Sequence, residues 1–265
     1  MIHNVLSIAG SDPSGGAGVQ ADLKTFSAMK VYGMAVITAL TAQNTTGVSA
    51  VKTQDGDFVA EQIRMVFSDV NVHAVKIGMI ANADIAASLA ETLRAVCNVP
   101  VILDPVMIAK GGAHLLAPDA VQTLRDKLLP IAEIITPNLP EAATLLNYDE
   151  ATSTDEMMDQ AKALLALGPS VVYLKGGHLI GTGSPDVLMS ADKVETLESD
   201  RIVTKNTHGT GCSLSAALAA CRGRNLDVIE AARTSKAFIT QAIASADQLN
   251  VGLGHGPIHH FNGLW

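Results

Sequence analysis

The chain has 265 residues, of which 48% are hydrophobic and 17% charged, with a formal net charge of −8. That length and palette support one large buried core, while the acidic balance and the lack of a Lys/Arg cluster argue against a nucleic-acid-binding face. The uninterrupted apolar runs are far shorter than the ~20 residues of a spanning helix, so no membrane partner is expected.

Met1-Ile2-His3-Asn4 carries no cationic leader, and a cytoplasmic protein is the expectation. The cysteines are Cys97, Cys212 and Cys221. This sparse, odd set without a CxxC pair suggests neither a disulfide framework nor a zinc site.

Val5-Leu6-Ser7-Ile8-Ala9 reads as a buried strand, followed by a Gly-rich loop from Gly10 to Gly18. Val19, Leu23 and Phe26 then recur at helical spacing, with Asp22 and Lys24 assigned to other faces. Met34 to Ala42 reads as one strand, Gly56 to Phe67 as a helix and Val75 to Ile77 as a strand. Ala83 to Val96 is helical, Val99 to Leu103 a strand, and Pro118 to Leu128 a helix opened by proline. Ile134 to Thr136 and Val171 to Leu174 are strands flanking a helix from Thr154 to Leu167. Asp186 to Thr204 breaks the rhythm with short β-like pieces, including Arg201 to Thr204. Helices over Thr210 to Cys221 and Asp227 to Gln248 finish the chain. The alternation predicts a single α/β domain over 1–265, with a mostly parallel sheet covered on both faces.

Candidate site residues follow the predicted strands: Gly10 and Asp12, Gln43 and Asn44, Gly78 and Met79, Asp104, Asn138, and Lys175. In an open parallel sheet those ends lie along one edge, where ligands bind. Asn206-Thr207-His208-Gly209-Thr210-Gly211-Cys212-Ser213 adds a tight turn that runs into a helix. Glycines and unpaired helix-start N–H groups make an anion site there, with Cys212 at its focus. A helix N-terminus is expected to lower the Cys212 pKa, fitting it as a base for a hydroxyl or as part of an anion hole. The alternative is an ordinary helix entry with a buried cysteine.

Asp104 and Glu141 are a candidate Mg²⁺ pair, since Mg²⁺ takes few carboxylates together with phosphates; Glu141 also fits as a first-turn acid stabilising its helix. Lys175, before Gly176-Gly177-His178, is placed to steady phosphates, or else faces solvent. Gly16-Ala17-Gly18-Val19-Gln20-Ala21 fits a relaxed dinucleotide fingerprint, but the next strand ends in Gln43 where a ribose-binding acid is needed. His255, His259 and His260 have no acid beside them and are not read as a metal site.

Taken in order, several stretches resemble the ribokinase-like superfamily, and within it the hydroxymethylpyrimidine/phosphomethylpyrimidine kinases. They are Ser7 to Phe26, Val36 to Thr45, Lys76 to Met79, Asp104 to Met107, Asn138 to Ala142, Lys175 to His178 and Asn206 to Ser213. The resemblance implies a three-layer ribokinase-like sandwich, commonly a homodimer. It implies ATP-dependent phosphorylation of 4-amino-5-hydroxymethyl-2-methylpyrimidine to the monophosphate and then the diphosphate, for thiamine biosynthesis. Gln43 would bind the aminopyrimidine, with Asp22, Gly10, Met79 and Val106 completing its pocket. Gly209, Thr210, Gly211 and Cys212 would act at the transferred phosphate. Lys175, Thr207 and Asn138 would lie near ATP, and Asp104 and Glu141 near Mg²⁺; a monovalent cation is a further candidate. A primary amide both donates and accepts, which suits Gln43 to an amino group beside a ring nitrogen. The rival readings are a pyridoxine/pyridoxal kinase of the same fold, which would lack that use for Gln43, and a non-catalytic pyrimidine-binding protein.

Overall fold

A computed structural model describes residues 1–108 and 116–265. Its centre is an eight-stranded sheet in the order β10-β9-β8-β7-β6-β5-β1-β2. The parallel part comprises β1 (Asn4–Ala9), β2 (Tyr32–Ile37), β5 (Val72–Ile77), β6 (Val101–Leu103), β7 (Ile134–Ile135) and β8 (Val171–Lys175). The last strands, β9 (Asp186–Ser190) and β10 (Val194–Leu197), extend it antiparallel.

Side-chain alternation divides the interior into two cores. Leu6, Ile8, Val75, Ile77, Leu103 and Ile135 face a first layer: α2 (Gly56–Asp69), α3 (Ala83–Val96), α4 (Pro118–Thr123), α5 (Leu139–Leu146) and α6 (Thr154–Leu165). Val5, Ala74, Ile102, Ile134 and Tyr173 face the other layer, α1 (Gly18–Ala28), α7 (Thr210–Gly223) and α8 (Val228–Ala244). Both faces are therefore dry, as a parallel sheet requires. Ala-rich α7 packs closely because its small residues let the backbone approach the strands: Leu214 to Cys221 is buried throughout.

Four expectations are corrected. The strand expected from Met34 to Ala42 breaks at Thr38. Buried Thr38 donates its N–H to the Ala9 carbonyl at 3.0 Å and its hydroxyl to the Met79 carbonyl at 2.6 Å, ending the sheet pairing. The chain then leaves the sheet as a hairpin of β3 (Ala39–Asn44) and β4 (Gly47–Thr53), and sequence reading missed β4. Asn44 makes the turn: its Oδ1 accepts from the Thr46 N–H, the Thr46 hydroxyl and the Gly47 N–H. Arg201 to Thr204 forms no strand, only a loop after a single bridge from Gly183 to Asp200. The helix expected over Pro118 to Leu128 ends at Thr123 and loosens into a π-helical turn over Leu124–Leu128. Asp22 lies on the buried face of α1 with Val19 and Phe26, because a lysine faces it from the sheet.

Candidate active site

The C-terminal ends of β1, β5, β6 and β8 open into a cavity of about 700 Å³ that the turn before α7 also lines. Gly10, Asp12, Gln43, Met79, Val106, Asp104, Asn138, Glu141, Lys175, Thr207 and the Gly209–Cys212 turn all line this cavity, whereas Asp22, Asn44 and Gly78, also predicted as site residues, do not.

The loop after β1 is held by Asp12. Its Oδ1 accepts from the Ser14 N–H and hydroxyl at 2.9 and 2.7 Å, and its Oδ2 from the Ala17 N–H at 2.9 Å. His208 Nε2 lies 2.7 Å from the same Oδ2, joining the first Gly-rich loop to the second. Burial works against the Asp12 charge, but the hydrogen bonds from His208 and Ser14 outweigh it and keep the carboxyl below its ordinary pKa. Gln43 descends from the β3–β4 hairpin and brings its Nε2 within 3.5 Å of His208 Nε2.

Gly209 starts α7 at φ 79°, where a side chain would run into the Gly16 carbonyl. Only glycine suits both the left-handed backbone and that approach. No side chain caps α7, so its first turn leaves amide donors for a ligand. Against this turn stands a charged cluster. Lys175 Nζ lies 3.0 Å from Asp104 Oδ1 and 3.8 Å from Glu141 Oε2. A Cβ placed on Gly211 would lie 3.2 Å from that ammonium, so the cation abuts the anion turn. Burial opposes the Lys175 charge, but Asp104 and Glu141 more than offset it and raise its pKa, so it stays an ammonium and is not a free solvent lysine.

Thr136 donates to Asp104 Oδ1 at 3.0 Å. Glu141 forms a reciprocal capping box with Asn138, both hydrogen bonds at 2.8 Å, which bears out the helix-start reading of this acid. Burial first, then the Asp104 charge, pushes Glu141 up to about 7 against the pull of Lys175. A cation here would restore its charge, and two carboxylates beside an anion turn suit the sparse donor set of a phosphate-bound Mg²⁺.

Cys212 differs from its expected chemistry. Burial pushes its thiol up to about 11; Lys76 pulls it down, Asp22 and Asp104 push it up, and a hydrogen bond from the Gly18 N–H favours the thiolate. Desolvation therefore outweighs Lys76 and the Gly18 hydrogen bond, and Cys212 rests as a thiol.

Lys76, the residue that sequence reading passed over, lines the cavity floor yet has no exposed surface. Its ammonium lies 2.8 and 3.0 Å from the Asp22 oxygens, and Ser7 donates to Asp22 at 2.6 Å. Asp22 thus sits one layer behind the cavity, serving Lys76. The available signal was a lysine between Val75 and Ile77 in an otherwise apolar strand, since such a charge is buried only when paired. Of the C-terminal histidines, buried His260 brings Nε2 within 2.9 Å of the Ser213 hydroxyl on α7, and His259 donates its backbone N–H to the Ala242 carbonyl on α8.

A mostly parallel sheet whose strand ends meet an uncapped, Gly-rich helix start makes an anion-binding edge in an α/β protein, and the solved structures it resembles place the fold in the ribokinase-like class. The family model for phosphomethylpyrimidine kinase matches residues 12–259. A hydroxymethylpyrimidine/phosphomethylpyrimidine kinase of Escherichia coli is 53% identical over 99% of this chain and 98% of its own length. The chain belongs to the phosphomethylpyrimidine kinase family. Among solved structures, phosphomethylpyrimidine kinase from Clostridium difficile is 42% identical with a TM-score of 0.81, covering 91% of this chain and 99% of its own. Bacillus subtilis pyridoxal kinase, solved as an ADP complex, is 39% identical with a TM-score of 0.90, covering 98% of each chain.

Proposed function

We propose that this chain acts as a single domain that transfers the γ-phosphoryl group of ATP to 4-amino-5-hydroxymethyl-2-methylpyrimidine and then to the resulting monophosphate, in thiamine biosynthesis. The observation that carries this reading is one cavity holding the Gln43 amide, the uncapped turn of α7 and the Lys175 ammonium. Family membership and the activity named for the relatives support it.

In the first step the hydroxymethyl oxygen forms a bond to the γ-phosphorus, the bond to the ADP oxygen breaks, and the hydroxyl proton passes late to an oxygen of the transferred phosphoryl group and from there to solvent. In the second, an oxygen of the monophosphate is the acceptor. Charge develops on the transferred oxygens, which the Gly209–Cys212 amides and Lys175 neutralise. A loose transition state needs the acceptor proton removed only late, so Cys212 is not required as a base, and its thiol donates its S–H to a transferred oxygen instead. Lys76 beneath the turn adds fixed positive potential. Mg²⁺ accompanies ATP and would be held by Asp104 and Glu141, supplying further charge neutralisation at the phosphates; a monovalent cation is a second candidate near the turn. We also place the protein in the cytoplasm and as a homodimer. No described helix is long and apolar enough to cross a membrane.

Gln43 supports this reading over pyridoxal phosphorylation, the activity named for the Bacillus subtilis neighbour. Its amide matches an amino group beside a ring nitrogen, an edge pyridoxal lacks. Gln43→Ala raises the KM for hydroxymethylpyrimidine by about tenfold or more, because a pair of hydrogen bonds is lost, and leaves the KM for ATP unchanged. An unchanged acceptor KM would remove Gln43 from the pocket.

A further inference from the structure

The segment between β8 and β9, residues 176–185, has no regular secondary structure, and its tip residue Ile180 is fully exposed. With little apolar burial, such a segment is costly to order. Here one side chain orders it. Arg201 donates from Nε to the Gly181 carbonyl at 3.0 Å, from Nη1 to Gly177 at 2.9 Å, and from Nη2 to Leu179 at 2.7 Å and Gly183 at 3.1 Å. Four of the five guanidinium N–H donors are thus committed to alternate carbonyls of a single loop. The Arg201 N–H bonds the Thr182 carbonyl at 2.8 Å, and the Ser184 N–H bonds that of Ser199 at 2.8 Å. At the far end Lys236, on α8, donates to both the Ser184 carbonyl and Asp186 at 2.7 Å.

The loop forms a wall of the active-site cavity through Gly177, His178 and Ser184. It starts at Lys175, whose ammonium abuts Gly211, while the acceptor residue Gln43 sits by His208 on a separate hairpin. On the reading above, the loop therefore flanks the phosphoryl donor and not the pyrimidine.

We propose that Arg201 is a positioning residue for ATP: it acts on the nucleotide through the 176–184 loop whose carbonyls it gathers, and not by binding the phosphates itself. With four donors already committed, the guanidinium works as a fork, which a lysine cannot reproduce. A wall built before the nucleotide arrives lowers the ordering cost of binding.

The test is equilibrium binding of ATP by Arg201→Lys and Arg201→Met, together with KM values for ATP and hydroxymethylpyrimidine. Both variants weaken ATP binding and raise its KM by about tenfold, with kcat and the acceptor KM within about twofold of the wild type. A lysine variant that binds ATP like the wild type would show that charge, not the fork, is what matters, and would overturn the proposal. So would equal losses in both KM values, the mark of a general structural role. Direct ATP binding needs no acceptor, so a wrong acceptor assignment would leave this readout intact. The wild-type protein gives a mutation-free check: the Leu179 and Ser184 amides, bonded to Gly176 and Ser199, exchange slowly before nucleotide is added. Unprotected exchange that slows only with ATP would contradict a prebuilt wall.

Discussion

Cys212 carries two opposed influences, and their magnitudes decide its state. The helix start, the Gly18 N–H and the Lys76 ammonium favour a thiolate, yet burial prevails and leaves the thiol up at about 11. Alkylation of Cys212 by iodoacetamide is therefore slow at pH 8 and accelerates toward pH 11, whereas Cys212→Ala, which keeps the turn's amides but removes the S–H assigned to the transferred oxygens, lowers kcat about tenfold to a hundredfold with little change in acceptor KM. A fast, pH-independent alkylation or an unchanged kcat would contradict that placement. The place of this cysteine at a helix start was legible from Gly209-Thr210-Gly211, while those residues alone left an anion site and an ordinary helix entry both open. Its protonation state was not, since it depends on Lys76, Asp22 and Asp104, which arrive from β5, α1 and the end of β6. Asp22 shows the same limit. Its residue type suggested a ligand, and only the lysine opposite explains why a carboxylate lies buried without reaching the cavity.

Among the elements, the β3–β4 hairpin was the hardest to foresee. Thr38 is the one polar residue in Ala35 to Leu40, and as a β-branched residue it fits a continuous strand; the break comes from its finding partners in β1 and at Met79, which are contacts across the fold. The hairpin is tied to the C-terminal segment, where the His255 and Gly254 N–H groups reach the Thr45 carbonyl and hydroxyl at 3.0 and 3.2 Å. The same segment bonds His208 through Gly256 and Ile258 and ends at His260 against Ser213. Burial, helped by Lys24 and His259, pulls His260 down to about 4 from an ordinary 6.5. A depressed folded-state pKa means that the unfolded chain binds more protons between those values. The contribution of His260 to stability is therefore complete above pH 6.5 and is lost as the pH falls toward 4, up to about 3 kcal/mol. His260→Gln flattens that acid limb in denaturant titrations across the range. Parallel profiles for the two proteins would show that His260 does not titrate with folding.

At the scale of the molecule, the strand–helix rhythm was readable because buried parallel strands and amphipathic helices each leave a period in the sequence. The shared edge of β1, β5, β6 and β8 followed from it, and with it most of the site. What lay beyond reach were the connections between distant segments: Asp12 to His208, Lys76 to Asp22, and Arg201 to the loop after β8. Each joins residues whose separate roles are unremarkable, and only the fold makes them neighbours. Taken whole, the molecule is proposed as a kinase that phosphorylates a pyrimidine twice. That activity is tested most directly by incubating the protein with Mg·ATP and, in parallel, hydroxymethylpyrimidine, pyridoxal or no acceptor, and identifying the products by mass. Two successive phosphate additions to the pyrimidine are predicted, while phosphorylation of pyridoxal alone would contradict the account and the role given to Gln43.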